Sequence, residues 1–205
     1  MEEPFATLTL WDYRRRVQQI YERAISQGAG SSTWNEWRQA RDELFRSHPQ
    51  SPLAEPARAT FTGLSYFDYD PTWRRVVEVA PVPSAEIDLA NSDVGATRFV
   101  RFGTADFEHA GTTFRLTLFW LDSYGGGVFL PFRDATNGDS TYGGGRYLLD
   151  SAKGADLGHE GKRVVIDFNY AYHPSCVHDP SWSCPLAPAD NALGVRVEAG
   201  ERLAG

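Results

Sequence analysis

The sequence predicts a mainly β protein, an antiparallel β-barrel or sandwich with two N-terminal α-helices. Three observations support this prediction. Apolar residues recur at three- and four-residue steps only in residues 1–50. From about residue 60 the chain changes to short runs of β-branched and aromatic residues, several of which alternate with polar ones. The gaps between these runs are too short for the crossover helices that a parallel sheet requires.

The two helices are predicted at the start of the chain. The first is indicated by one apolar stripe, which comprises Leu10, Tyr13, Val17, Ile20, Tyr21 and Ala24. The second is expected to begin at a capping box formed by Thr33 and Glu36, and to end at His48 and Pro49. Residues 1–50 are therefore predicted to form a helical segment that packs on an antiparallel β domain of residues 60–205, with a proline- and alanine-rich linker between them.

About eight strands are predicted after the linker. In chain order they are WRRVVEVAP, AEIDLA, TRFVRFGTADFEH, TTFRLTLFWLD, GGVFLPFRD, GRYLLD, KRVVIDFNY and LGVRVEAGE. Alternation is clearest in the fourth strand, where Phe114, Leu116 and Leu118 point one way while Arg115 and Thr117 point the other. Strands of this length without intervening helices are typical of sandwiches and barrels.

Composition and missing motifs exclude several function classes. The net charge of −7 argues against nucleic-acid binding, which needs clustered Lys and Arg. The sequence contains neither a signal-peptide pattern nor an apolar run of ~18 residues, so we expect no membrane partner and a cytoplasmic location for this acidic protein. A phosphate-binding loop and a dinucleotide fingerprint are also missing, so we expect no cofactor. Exposed sheet edges would be compatible with a homodimer.

The first candidate site segment is LPFRDATNGDSTYGGGRYLLD, residues 130–150. Its Asn-Gly pair and three consecutive glycines are explained by hairpin geometry and close backbone approach. Turns also prefer Asp134 and Asp139, but no turn type requires Arg133, Thr136, Tyr142 or Arg146, and an Arg paired with an Asp could bind a carboxylate or phosphate. The residues predicted to bind a ligand here are Arg133, Asp134, Thr136, Asn137, Tyr142 and Arg146.

The second candidate segment is IDFNYAYHPSCVH, residues 166–178. Asp167 and Asn169 are two positions apart and would share one face of a strand, so we predict that they line the same cavity as Tyr172. The alternative is that both side chains only cap loops. As a general base, Asp134 or Asp167 would need a raised pKa.

The two cysteines admit three interpretations. Cys176 and Cys184, with His173 and His178, offer four potential zinc ligands. Their spacing fits no familiar zinc module, so we favour a disulfide or a thiol pair and predict no metal. A reactive cysteine is the third interpretation, which makes Cys176 a catalytic candidate beside the two aspartates.

Four motifs carry a family resemblance. FTGLSYFDYDPTWR, FRDATNGDSTYGGGRYL, IDFNYAYHPSC and CPLAPADNALGVRVEAGE together resemble the family catalogued as domain of unknown function 1684, over residues 61–201. The family's glycine-rich run is matched at Asp134, Thr136, Gly138, Thr141, Tyr142, Gly145 and Arg146. Its Asp-Phe-Asn motif is matched at residues 167–169, and its two cysteines are matched at Cys176 and Cys184. The resemblance implies where a site lies but brings no established reaction, and it weakens the zinc interpretation.

Two functions are consistent with this pattern. The first is a polar small-molecule-binding site at one end of the barrel, which could be hydrolytic or use acid/base chemistry. The alternative is a non-catalytic structural or interaction domain in which the same residues form a buried hydrogen-bond network. Whether the protein is an enzyme is left open by the sequence.

Overall fold

The computed structural model describes residues 4–204, which form three α-helices and one seven-stranded antiparallel sheet. The helices are α1 (Pro4–Gln27), α2 (Ser31–Ser47) and α3 (Glu55–Ala59). The strands are β1 (Arg74–Ala90), β2 (Ala96–His109), β3 (Thr112–Leu121), β4 (Val128–Phe132), β5 (Arg146–Asp150), β6 (His159–Glu160) and β7 (Arg163–Asp167). None of the helices within residues 4–204 has both the length and the hydropathy needed to cross a membrane.

The sheet is antiparallel as predicted, but its hydrogen bonding does not close it into a barrel. Its strand order is β5-β4-β3-β2-β1-β7-β6, so that β5 and β6 are the two edges. The sheet curls until β5 contacts β7. The segment after β7 covers the remaining gap, where the Tyr147 amide donates to the Tyr172 carbonyl at 2.9 Å. The result is an open, curved sheet.

Three strand predictions need correction. The first two predicted strands are one long strand, β1, whose register against β2 shifts between Pro81 and Ala85. Prolines in this stretch cannot donate ladder hydrogen bonds, which explains an irregularity rather than a break. The last predicted strand, residues 193–201, is irregular chain, while His159 and Glu160 add a short strand that was not predicted.

The capping-box prediction for the second helix is wrong. Helix α2 begins two residues earlier, at Ser31, and has Gly30 as its N-cap without a side-chain hydrogen bond. Thr33 is instead buried inside the first turn. Part of the predicted linker forms α3, which begins after Ala54 with Pro56 in its first turn, where a missing N–H costs nothing.

Two buried clusters position the layers. One fills the curve of the sheet and includes Leu116, Leu118 and Phe168. The other holds α1 and α2 against the segment after β7, where the Trp37 ring lies 4.7 Å from the Tyr170 ring. The indole N–H of Trp34 donates to the Asn169 carbonyl at 2.7 Å. The helices therefore rest on the Asp-Phe-Asn motif.

The consecutive glycines after Tyr142 are not equivalent. Gly145 has φ +96°, and a Cβ there would lie 2.5 Å from the Phe132 carbonyl oxygen and 2.7 Å from Ala187 Cβ. At Gly143 a Cβ would meet nothing within 4 Å. The predicted close backbone approach therefore applies to Gly145 and not to Gly143.

We expect Gly145→Ala to lower the free energy of unfolding by at least ~2 kcal/mol, because it adds both backbone strain and overpacking. Gly143→Ala is the matched control and should change it by less than ~0.5 kcal/mol. Urea unfolding of the two variants measures the difference, and equal effects would contradict the assignment.

Candidate functional site

Arg146 is the centre of the first group of predicted site residues. Its side chain is fully buried, and Nη2 lies 2.9 Å from Asp134 Oδ2. The same guanidinium donates to the Val197 carbonyl at 2.8 Å and to the Glu201 carbonyl at 3.1 Å, and it also donates to the Ala199 carbonyl. Arg146 thus ties strand β5 to the irregular C-terminal segment, whose carbonyl groups would otherwise be unpaired.

The other oxygen of Asp134 is also occupied. Asp134 Oδ1 accepts the Thr136 amide at 2.8 Å and the Val197 amide at 3.2 Å. The Thr136 hydroxyl lies 2.7 Å from the Thr141 hydroxyl, and Asn137 Oδ1 accepts the Asp134 amide at 2.8 Å. Both carboxylate oxygens and the neighbouring side chains therefore already have partners within the protein.

Tyr142 faces the cysteines. Burial, followed by the nearby Cys176, raises the pKa of Tyr142. Arg133 is close enough to oppose that rise, and its own backbone amide donates to the Asn191 carbonyl at 2.9 Å. Tyr142 therefore lies close to Cys176 and Arg133, in a group separate from the hydrogen-bonded residues around Asp134.

Both cysteines are free thiols, and Cys184 is buried. Burial raises the pKa of Cys184 to about 11, and Cys176 is close enough to influence it. Cys184 is consequently protonated at neutral pH and is a poor nucleophile. Within residues 4–204 no three His, Cys, Asp or Glu side chains are grouped as a metal ion would require.

Asp167 and Asn169 form a separate group. Asn169 Nδ2 donates to Asp167 Oδ1 at 2.8 Å and to the Asp70 carbonyl at 2.8 Å. Asn169 Oδ1 accepts the Asp70 amide at 2.9 Å, so this side chain clamps the chain just before β1. Asn169 is fully buried and has no free polar atom to offer a ligand.

Asp167 differs from Asp134 because it borders a cavity. Its second oxygen, Oδ2, lies 3.9 Å from Arg74 Nε, and both side chains line a cavity of about 170 Å³ with Tyr170. Burial raises the pKa of Asp167, although its bonds from Asn169 and the charge of Arg74 oppose the rise. A raised pKa is what a general base at this position would need.

The remaining predicted ligand-binding residue, Tyr172, belongs to neither group. Its backbone pairs with Tyr147, and its hydroxyl lies 3.5 Å from Asp150 Oδ2. Tyr172 lines a cavity of about 60 Å³ between the helices and β5, which Arg41 and Lys153 also line. The residues predicted to surround one cavity are therefore distributed over separate hydrogen-bond groups.

Glu201 organises a cluster that the sequence did not reveal. Its carboxylate is buried and lies 3.2 Å from Arg41 Nη2, 3.3 Å from His178 Nε2 and 3.5 Å from His173 Nδ1. The Tyr142 amide donates to His173 Nε2, which leaves the His173 proton on Nδ1, facing Glu201. The spacing of His173 and His178 suggested only zinc ligands, and Arg41 is too distant in sequence for a motif to connect it to them or to Glu201.

Charge compensation keeps Glu201 ionised. Burial alone would raise its pKa, but Arg41, then His173 and His178, outweigh burial and hold the pKa of Glu201 well below its usual range. Arg41 also donates to the Tyr66 hydroxyl and stacks over the Trp37 ring at 4.9 Å. The cluster therefore joins α2 to the C-terminal segment by a buried ion pair.

A cavity of about 620 Å³ opens at one end of the curved sheet, and its lining was also missed. Six strands contribute apolar side chains to the lining. They include Val79, Phe102, Leu118, Val128, Leu149 and Val164. Polar side chains from the chain between β5 and β7 form the rim, and these are Ser151, Asp156, His159 and Lys162. The alternation that predicted strand β3 also placed Leu118 on an inward face, but it could not show that the interior is incompletely filled.

Arg146→Met should lower the free energy of unfolding by ~3–5 kcal/mol, because it leaves a buried carboxylate without its partner. Arg115→Met is the matched control, since Arg115 pairs with Asp106 at 2.7 Å on an exposed surface and should contribute less than ~1 kcal/mol. Chemical denaturation measures both variants. A stability loss at Arg146 no greater than at Arg115 would contradict the assigned role.

Glu201→Gln should destabilise the protein at neutral pH by ~3–5 kcal/mol, because Arg41 would be left buried and unpaired. Since the folded-state pKa of Glu201 is depressed, its stabilisation is complete above the ordinary value of 4.5 and is lost as pH falls below it. The difference between wild type and variant should therefore shrink in that acid range. Unfolding curves from neutral to acid pH test this, and a constant difference would contradict it.

The comparisons with known proteins agree with this architecture. An uncharacterized protein of Haloarcula marismortui, solved by solution NMR, is 36% identical and superposes with a TM-score of 0.60, over 84% of this chain and 93% of that chain. No curated protein matches the chain. The family described as "Protein of unknown function (DUF1684)" matches residues 59–202. That match covers most of the chain and confirms the resemblance carried by the four motifs, so the chain belongs to this family of proteins of unknown function.

Proposed function

We propose that this protein binds a small, largely apolar molecule in the cavity at the open end of the curved sheet. The observation that carries the proposal is the cavity itself, about 620 Å³, walled by apolar side chains of six strands and rimmed by a few polar ones. Natural ligand sites have volumes of ~300–1,000 Å³ and this combination of lining and rim. The mouth of a curled sheet is also a common place for such sites.

The physical reason for binding is burial of apolar surface. Val79, Phe102 and Val164 are half-buried and present hydrocarbon to the cavity, and a ligand that covers them removes apolar area from water at ~25 cal/mol per Å². The polar rim would orient one end of the ligand toward solvent. The sequence-based hypothesis was a polar site at one end of a barrel, whereas the site proposed here is largely apolar and is lined by different residues.

In this proposal the family's signature residues have a structural role. Arg146 and Asp134 have all their short contacts inside the protein, and Arg146 stands on β5, the strand that also supplies Leu149 to the cavity wall. Their pairing supports the position of β5 against the C-terminal segment. The buried hydrogen-bond network of the alternative hypothesis would thus be the frame of a binding protein.

A second candidate function is acid/base chemistry at Asp167. It is favoured by the raised pKa of this carboxyl and by the cavity of about 170 Å³ that it shares with Arg74 and Tyr170. It is the weaker candidate, because Asp167 Oδ1 already accepts both the amide and the side-chain N–H of Asn169. If Asp167→Asn left ligand binding in the larger cavity unchanged, the two sites would be independent.

The free thiols support a proposal about the cellular compartment of the protein. Cys176 and Cys184 are both free thiols, and Cys176 is close enough to influence the pKa of Cys184. Reducing compartments keep such pairs as thiols, whereas oxidising ones favour disulfides. We therefore retain a cytoplasmic location as part of the proposal.

The cavity is tested by filling it. Decanol should raise the melting temperature of the wild-type protein, because a ligand that binds only the folded state stabilises it. Val164→Phe and Val128→Phe each place a ring in the cavity and should abolish the shift. Val76→Phe is the matched control, since Val76 lies on β1 but is 48% exposed and outside the cavity lining.

Thermal unfolding with increasing decanol gives the readout. If the wild-type melting temperature did not respond to decanol or to the apolar dye Nile red, the proposed function would be wrong. A response that persisted unchanged in both phenylalanine variants would show that these probes bind somewhere else.

A further inference from the structure

We propose that the ligand is an anionic amphiphile, a single apolar chain that ends in a carboxylate, with the carboxylate held by Lys162 at the cavity rim. This inference rests on the proposed function and adds the chemical class of the ligand. It follows from two features of the same cavity, namely the hydrocarbon lining of its interior and the unbalanced cation at its mouth.

The charges around the rim single out Lys162. Its neighbours are neutralised, since Lys153 Nζ lies 2.9 Å from Asp150 and Arg163 lies 2.5 Å from Glu160. Among residues 4–204, no carboxylate oxygen lies within 4.0 Å of Lys162 Nζ, the distance that defines an ion pair. Its ammonium is therefore available to a ligand.

The backbone of Lys162 is held in place even though its side chain is exposed. The Lys162 carbonyl accepts the Val79 amide at 2.8 Å, which fixes the turn between β6 and β7 against β1. Val79, which donates this bond, and Val164, which follows Lys162 by two residues, both line the cavity. The Lys162 backbone is thus fixed beside the hydrocarbon lining, and its four-carbon stem is long enough to cover an apolar chain at the rim.

Asp156 is an acidic residue at the same rim, and its carboxylate would repel an anionic ligand. Asp156 Oδ1 accepts the Gly158 amide at 2.9 Å, which ties this carboxylate into its own loop. Ser151 Oγ accepts the Val128 amide at 2.7 Å, so the Ser151 hydroxyl proton is free to be donated. The rim therefore offers a ligand the hydrogen-bond donors of Lys162, Ser151 and the exposed His159. The Asp156 carboxylate is the opposing acceptor, and it is partly occupied.

The three types of chain end make different contacts with this rim. A carboxylate gains the attraction of Lys162 and a hydrogen bond from Ser151, whereas an alcohol gains only the hydrogen bond. A quaternary ammonium would be repelled by Lys162 and has no N–H for Asp156. Because Lys162 is solvent-exposed, the preference for the carboxylate over the alcohol should be about 5-fold and should decrease with added salt.

Competition against Nile red fluorescence tests the inference. We would measure the dissociation constants of decanoate, decanol and decyltrimethylammonium for the wild-type protein and for Lys162→Met. Decanoate should bind about 5-fold more tightly than decanol to the wild type, and about equally in Lys162→Met. Arg163→Met is the matched control and should keep the wild-type ratio, while Asp156→Asn should increase it.

The outcomes separate the inference from the function on which it rests. Equal binding of decanoate and decanol to the wild type, with both lost in Val164→Phe, would overturn the anionic ligand and leave the cavity function intact. Tighter binding of the ammonium compound than of decanoate would overturn it as well. Failure of all three compounds to displace Nile red from the wild type would count against the cavity function itself.

Discussion

The buried contact between Arg146 and Asp134 is the interaction on which the rest of the structure depends. One fully buried guanidinium neutralises one buried carboxylate and also satisfies carbonyl groups of the irregular segment 197–201. That segment belongs to no strand, and although Gly200 and Glu201 each make a backbone hydrogen bond, the carbonyls of Val197 and Ala199 depend on the Arg146 side chain. Burial still lowers the pKa of Arg146 although Asp134 opposes this, so a buried charge left without its partner would be costly.

Glu201 extends the same network to the helices. Its backbone carbonyl accepts from Arg146, while its carboxylate binds Arg41 of α2 and faces His173 and His178. One residue near the end of the chain therefore links strand β5, the helical layer and the segment after β7. We attribute the open, curled shape of the sheet to this network, since the segment that fills the gap between β5 and β7 is held by it. The cavity lies at the end of the sheet that this segment leaves uncovered.

Much of the fold followed from local patterns. The alternation in residues 112–121 predicted strand β3, and the apolar stripe from Leu10 to Ala24 predicted α1, because both patterns reflect which face of an element is buried. The irregular course of residues 193–201 could not be predicted, since its β-branched residues favour a strand and its hydrogen-bond partners, such as Asp134 and Arg146, are distant in sequence. Likewise, nothing in the local sequence shows that β1 continues through Pro81 and Pro83, since prolines usually interrupt a strand.

The candidate site was predicted less well, for a physical reason. Polar residues that are not required by a turn, such as Asp134 and Arg146, can serve either a ligand or the backbone, and the choice depends on partners far away in sequence. The lining of the larger cavity carries no distinctive signal, because Val79, Leu118 and Val164 look like ordinary core residues. Only the three-dimensional structure shows that the space between them is unfilled.

The central claim is that ligands enter the apolar cavity and that the signature residues only support it. A titration with decanoate, followed through the methyl signals of the protein by NMR, tests this claim most directly. The account predicts that the methyl groups of Val79, Leu118, Leu149 and Val164 shift together with one saturating affinity, while groups near Arg146 and Asp134 stay in place. Shifts concentrated around Asp134, Tyr142 and Cys176, with the cavity methyl groups unchanged, would contradict it.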